Sequence, residues 1–389
     1  MTSRRRICVV TGSRADYGLL YWIISDLQRA PQAEMQLVVT GMHLAPEFGR
    51  TVSVIEADGF PIAARVESLL SSDTAAGIAK SIGIGTIGFA SEFARLAPEI
   101  ILLLGDRFDI FAAAQAALVA NIPIAHIAGG DTTEGAFDEA LRHSITKMAQ
   151  LHFVTNAESA VRVRQLGEDP AHIHVVGSPG IDYIRRLPTL SRRVLERELG
   201  VGFRTRNLLL TFHPVTLAPA ASLAQFQALL DALESLGPDV GLFFTRSNAD
   251  TGGRGFNQLL DTWADRHENA QVFTSLGQRH YLSLMAHVDA VVGNSSSGLY
   301  EAPSFGKPTV DIGDRQRGRL AATSVIRCAA RTDAIASAIA QAFTMDCAGT
   351  VNPYGDGESS KRIVEMLLSI ADPAALVRKH FHILAGGSS

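Results

Sequence analysis

Short runs of aliphatic and β-branched residues recur along the chain, each followed by a longer stretch with apolar residues at helical spacing. In the first half these runs are "ICVVTG", "MQLVVTG", "IILLLGD", "IPIAHIAGG", "LHFVTN" and "IHVVGSPG". After a polar, Arg-rich stretch near residues 185–206 the pattern restarts with "LLLTFHP", "GLFFTRSN", "QVFTSL", "DAVVGNS" and "PTVDIGD". A strand with one wet face alternates apolar and polar residues. These runs do not alternate, so they predict strands covered by helices on both faces, as in parallel, doubly wound sheets. The expected fold class is therefore α/β, with two Rossmann-like doubly wound domains facing across a cleft. They span residues 1–185 and 186–389, and "TDAIASAIAQAF" and "SSKRIVEMLLSIADPAALVRKHFHIL" supply closing helices to the second.

Composition narrows the function. With 47% hydrophobic and 19% charged residues the chain is globular, and a net charge of -4 with a pI near 6.3 gives no bulk attraction to nucleic acid or to an anionic membrane. Any bound anion must be held by local geometry. Cys8, Cys328 and Cys347 are far apart and lack CxxC spacing, so neither zinc nor a disulfide framework is expected, and a reducing, cytoplasmic setting fits. The basic start "MTSRRR" leads into an apolar run that stops after Val10, which reads as a first strand and not a secretion signal. No apolar run approaches the roughly 20 residues that span a bilayer.

In doubly wound sheets ligands bind at the carboxyl ends of strands, where the polar clusters of this chain fall. "GNSSSGLYEAP" (293–303) follows one such strand and opens a helix, so free N–H groups and hydroxyls there suit a phosphate, and the Glu301 carboxylate suits a ribose diol. Ser295 as a plain N-cap and Glu301 as a solvated acid is the competing interpretation. "GDRFD" places Asp106 and Arg107 at another strand end, and the Gly-rich loop before "DEALRH" aims Asp131 and Asp138 inward. By itself "DEALRH" reads as surface pairs at i,i+4, Asp138 with Arg142 and Glu139 with His143. "GIGTIG" (83–88) fits a dinucleotide pattern but follows a helical stretch instead of a strand, and "FGKPT" lacks the hydroxyl and glycine spacing of a P-loop. His172 and His174 have no third metal ligand in view.

Taken together, "TGSRADYG", "GDRFD", "GGDTTEGAFDEALRHSITKM", "TFHPVT", "SNADTG" and "GNSSSGLYEAPSFGKPTVDIGDRQRGR" resemble the hydrolysing UDP-N-acetylglucosamine 2-epimerases from the first strand to about residue 330. The resemblance implies the GT-B arrangement with the nucleotide on the second domain. It also implies conversion of UDP-N-acetylglucosamine to UDP and N-acetylmannosamine by elimination and rehydration, toward sialic or other nonulosonic acids. UDP-N,N'-diacetylbacillosamine, a precursor of legionaminic acid, is the alternative substrate. A GT-B glycosyltransferase and a non-catalytic nucleotide-sugar sensor are the rivals. By the same resemblance Arg14, His213 and Arg315 meet the diphosphate, Ser295 and Ser296 its β-phosphate, and Glu301 the ribose. Arg107 and Asn248 are further substrate-binding candidates, and His213 joins Asp106 and Asp138 in the catalytic set. Many relatives carry a glutamate where this chain has Ala128, and Asp131, three residues on, is expected to take over its proton handling, with ordering of the Gly-Gly turn as the competing interpretation. The chemistry calls for no metal or redox cofactor. The expected partners are the UDP-sugar and UDP, with no nucleic acid or membrane, in a homodimer or homotetramer.

Overall fold

Two parallel sheets, each buried under helices on both faces, account for the apolar runs. The computed structural model describes residues 4–384 apart from 47–48, 73, 133–136, 214–218, 247–252 and 275. The chain divides into one unit of Met1–Tyr183 with Tyr354–Ser389 and another of Ile184–Pro353. Among the described residues no helix is long and apolar enough to cross a membrane.

In the first unit β1 (Arg5–Thr11), β2 (Ala33–Thr40), β3 (Ile62–Val66), β4 (Ile100–Leu104), β5 (Ile124–Ile127), β6 (Leu151–Val154) and β7 (Ile173–Val175) pair in the order β3-β2-β1-β4-β5-β6-β7. Every pair is parallel, with Val9 opposite Leu37 on one side and Leu102 on the other. Successive side chains point to opposite faces. Ile7, Val9, Leu37 and Leu102 therefore pack with the helices Arg14–Arg29 and Ser359–Ser369. Cys8, Val10, Val38 and Leu103 pack with the helices Ala75–Leu96, Phe108–Val119 and Asp138–Met148. The winding direction reverses between β1 and β4, so the loops after these strands diverge and leave a crevice at their carboxyl ends.

The second unit repeats the plan with β8 (Arg206–Thr211), β9 (Val240–Thr245), β10 (Ala270–Phe273), β11 (Ala290–Gly293), β12 (Thr309–Ile312) and β13 (Val325–Cys328). Their order is β10-β9-β8-β11-β12-β13, all parallel, with the reversal between β8 and β11.

Two features differ from the sequence pattern, and a third agrees with it. β3 and β13 escape it because each is a sheet edge carrying an exposed arginine, Arg65 or Arg327, so neither forms an unbroken apolar run. The domain boundary at 185/186 falls within two residues of the observed division, but the C-terminal helix does not close the second unit. Ile363, Val364 and Leu367 enter the core of the first, and Asp182 caps that helix by accepting the backbone N–H groups of Ser359 at 3.0 Å and Ser360 at 2.7 Å. Finally, "GIGTIG" lies inside the helix Ala75–Leu96, where its glycines serve close packing: a Cβ on Gly85 would stand 3.1 Å from the Ala112 methyl, and one on Gly88 2.7 Å from Val66.

Candidate active site

At the β1 end a capping box starts the helix Arg14–Arg29. The Asp16 carboxylate accepts the backbone N–H of Gly12 at 2.8 Å and of Ser13 at 2.7 Å, and the Ser13 hydroxyl accepts the Asp16 N–H. This leaves Arg14 exposed at the first helical position.

Gly105, at φ +79°, turns the chain out of β4 and delivers Asp106 and Arg107. The turn is tied down by buried His126, whose Nε2 lies 2.7 Å from the Gly105 carbonyl and whose Nδ1 lies 3.1 Å from the Thr146 hydroxyl. Burial lowers the His126 pKa to about 3, so the ring is neutral, and because a carbonyl can only accept, Nε2 carries the proton. The β4 turn and the helix Asp138–Met148 are thereby fixed to each other.

Arg142 on that helix is 6% exposed. It forms an ion pair with Asp106 through Nη2 and donates from Nη1 to the Asp131 carbonyl at 2.7 Å. The local Asp138–Arg142 surface pair expected from spacing is thus replaced by a long-range one, while Glu139 stands 3.4 Å from His143 as expected. Sequence reasoning missed Arg142 as a site residue because i,i+4 spacing offered it a nearer carboxylate. Asp138 lies at the helix start, and burial first, then the Asp106 charge, raises its pKa against the opposing Arg107 and Arg142 charges. Neighbouring acids are therefore set apart, one held in an ion pair and one with its pKa raised.

Asp131 also has a structural role. Its Oδ1 accepts the Thr155 hydroxyl at 2.7 Å and the Ser159 hydroxyl at 2.6 Å, so its carboxylate braces the β5 turn against the β6 end and the helix Ala157–Gln165. Ala128 itself takes a left-handed backbone, φ +63°.

In the second unit Gly293 ends β11 at φ +143°, and a Cβ there would lie 1.9 Å from the Thr211 carbonyl oxygen, so only glycine fits. Asn294, 1% exposed, accepts the His213 N–H on Oδ1 at 2.7 Å and donates Nδ2 to the His213 carbonyl at 2.8 Å. Its own carbonyl accepts Arg315 Nη1 at 3.1 Å and Gln316 Nε2 at 2.8 Å. One asparagine therefore gathers His213 and Arg315 at the switch point, a function invisible in the motif except as the residue before the serines.

Ser295 Oγ accepts the Ser297 N–H at 3.4 Å and its hydroxyl at 3.2 Å, and Tyr281 OH lies 2.6 Å from Ser297 Oγ. The expected helix is shorter than its sequence suggests, a single turn (Ser297–Tyr300) followed by a 3-10 turn (Ala302–Phe305) that ends at Gly306, so its dipole acts over one turn only. Glu301 is not a solvated acid. Its Oε2 is buried without a hydrogen-bond partner, and burial raises its pKa to about 7. Asn248 lies outside the described residues.

Residues 25–368 match the family described as UDP-N-acetylglucosamine 2-epimerase. The chain is 36% identical to the GDP/UDP-N,N'-diacetylbacillosamine 2-epimerase (hydrolyzing) of Campylobacter jejuni over 83% of this chain and 84% of that protein. It is 34% identical to the UDP-N,N'-diacetylbacillosamine 2-epimerase (hydrolyzing) of Legionella pneumophila over 96% and 98%. Its fold is similar to that of the UDP-GlcNAc 2-epimerase from Neisseria meningitidis bound to UDP-GlcNAc, with a TM-score of 0.77 and 19% identity over 94% of this chain and 100% of that one.

Proposed function

Because this chain belongs to the UDP-N-acetylglucosamine 2-epimerase family, we propose that it is a hydrolysing 2-epimerase that converts UDP-N-acetylglucosamine to UDP and N-acetylmannosamine. The observation that carries the reading is the pair of unlike acids at the carboxyl edge of the first sheet, Asp106 ion-paired with Arg142 and Asp138 raised by its surroundings.

The C2 proton of the sugar is too weakly acidic for a carboxylate to remove unaided, so cleavage of the C1–O bond leads. Positive charge grows on the ring, where the Asp106 carboxylate offsets it, and the electron pair of the C1–O bond leaves with UDP. Loss of the C2 proton to a carboxylate of the Asp138 type, made more basic by its raised pKa, gives the glycal. Water then adds its oxygen to C1 while a proton reaches the opposite face of C2. Sugar chemistry is assigned to the first unit and the nucleotide to the second, with His213, Arg315, Ser295 and Ser296 meeting the diphosphate and Glu301 the ribose hydroxyls. A sensor would need no such pair of acids, and a transferase would need an acceptor.

A second reading keeps the reaction and changes the sugar. The names of the two relatives above favour UDP-N,N'-diacetylbacillosamine, which differs at C4 and C6. Incubating the protein with each nucleotide sugar in D2O tests both readings: free UDP and a 2-epimer carrying deuterium at C2 are expected, with the larger kcat/KM marking the substrate. Product with only hydrogen at C2 rules out the elimination route, and no UDP from either sugar rules out the function.

A further inference from the structure

Asp109 takes part in none of these steps, yet three strand ends close around it. It is 2% exposed, in the first turn of the helix Phe108–Val119, where a carboxylate suits the helix N-terminus. Gly12 after β1 and Gly41 (φ +57°) after β2 both press on it, since a Cβ on either would lie 2.1 Å or 2.3 Å from Asp109 Oδ2. Within this enclosure Oδ1 accepts the Ile110 N–H at 3.2 Å and stands 3.3 Å from Arg107 Nε, whereas Oδ2 has no hydrogen-bond partner. Arg107 Nε is likewise buried without a hydrogen bond. Burying an incompletely satisfied carboxyl is costly, and the nearby packing gives no compensating bond.

The neighbouring polar groups are occupied elsewhere. Asp16 accepts the Gly12 and Ser13 N–H groups, and His43 lies between the Thr11 and Thr51 hydroxyls at 3.0 Å and 2.7 Å. Asp109 is thus the counter-charge within reach of Arg107's inner end. The Arg107 side chain is one-third exposed, and its charge acts on Asp138. We propose that Asp109 is a positioning residue that holds Arg107 from beneath and directs its guanidinium toward Asp138 during the sugar chemistry. Burial raises the Asp109 pKa, and the Arg107 charge is the first influence against it, with Asp16 reinforcing the rise, so the two side chains are coupled in both directions.

This inference rests on the proposed reaction and is tested by a double-mutant cycle with Asp109→Asn and Arg107→Gln, each followed by kcat, KM and a pH profile. Asp106, Arg107 and Arg142 are the charges acting on Asp138, and Arg107 and Asp16 those acting on Asp109. Each single variant is expected to lower kcat about tenfold or more with KM within about threefold, and the double variant to be no worse than the poorer single, as for residues that act as a unit. The limb of the kcat profile that belongs to Asp138 moves to higher pH in both singles, because the charge that lowers its pKa is displaced or lost, and Arg107→Lys restores part of the shift. If Asp109→Asn does not fold, Asp109→Ser, smaller and still an acceptor, is carried through the same cycle. Additive losses, or a limb that stays in place, overturn the positioning role. A wild-type protein that releases no UDP overturns the parent reading instead.

Discussion

The side chain of Asn294 and the backbone of His213 close a ring of two hydrogen bonds, 2.7 Å and 2.8 Å long, that ties the end of β11 to the end of β8. Both strands flank the point where the second sheet reverses its winding, so this ring shapes the crevice in which an anion would sit.

Asn294→Ala removes both bonds from a buried site and is expected to cost about 1–3 kcal/mol of stability. UDP affinity should fall about tenfold or more, because the His213 backbone loses its anchor, while the Asn294 carbonyl that accepts from Arg315 remains. Asn294→Asp should bind UDP more weakly still, since it keeps the acceptor but puts a negative charge beside the proposed diphosphate site. Thermal melting with UDP titration by calorimetry checks both, and unchanged affinity in Asn294→Ala would show that the ring is only structural.

Asp106→Asn is expected to cut turnover about a hundredfold or more while UDP affinity stays within a few-fold, because charge opposite the ring is lost and the nucleotide groups are untouched. The variant should also lose about 1–3 kcal/mol of stability, since buried Arg142 loses its nearer ionic partner and keeps Glu139 at 3.8 Å, a cost moderated by the partial exposure of Asp106. Steady-state kinetics with chemical denaturation separates the two effects. An Asp106→Asn enzyme that turns over normally refutes its role.

Glu301 makes UDP binding depend on pH. Burial lifts its pKa from the ordinary glutamate value of 4.5 to about 7, so the unliganded protein holds this carboxyl protonated more readily than the unfolded chain does. Its contribution to stability is therefore complete below 4.5 and is lost as pH rises through about 7. A bound diol favours the ionised form, which accepts both hydroxyls, so UDP should bind more tightly as pH rises across the same window and should recover part of the lost stability. Glu301→Gln should lose this component of the pH dependence. Identical profiles for the two proteins would mean that Glu301 does not meet the ribose.

Asp131→Asn should keep turnover within about fivefold, because the amide oxygen can still accept the Thr155 and Ser159 hydroxyls. Asp131→Ala should instead lower stability by about 1–2 kcal/mol by stranding those two donors. A loss of turnover in Asp131→Asn approaching that of Asp106→Asn would return proton handling to this residue.

Much of this protein is legible in its sequence because the informative signals are local. Unbroken apolar runs such as "IILLL" mark strands covered on both faces, and Gly105 and Gly306, both at positive φ, mark where elements turn or stop. Capping needs only neighbours, as in the Ser13–Asp16 pair. Even the two-sheet plan follows from the period at which these signals recur.

Partner choice was decided only in three dimensions. Arg142 had a carboxylate four residues away at Asp138 and took Asp106 instead, 36 residues distant, because His126 fixes the β4 turn against its helix. Asp131, expected to handle protons from a glycine-rich loop, accepts the hydroxyls of Thr155 and Ser159, partners that only the fold supplies. The helix Ser359–Ser369 follows the second sheet in sequence but buries Ile363 and Leu367 in the first unit. Asp109 is one acid among many in the sequence, and only the fold brings Gly12 and Gly41 against it. A sequence determines period, caps and turns, which depend on residues within a few positions. Which charge meets which depends on distances set by the packed sheet, and those exist only after the chain has folded.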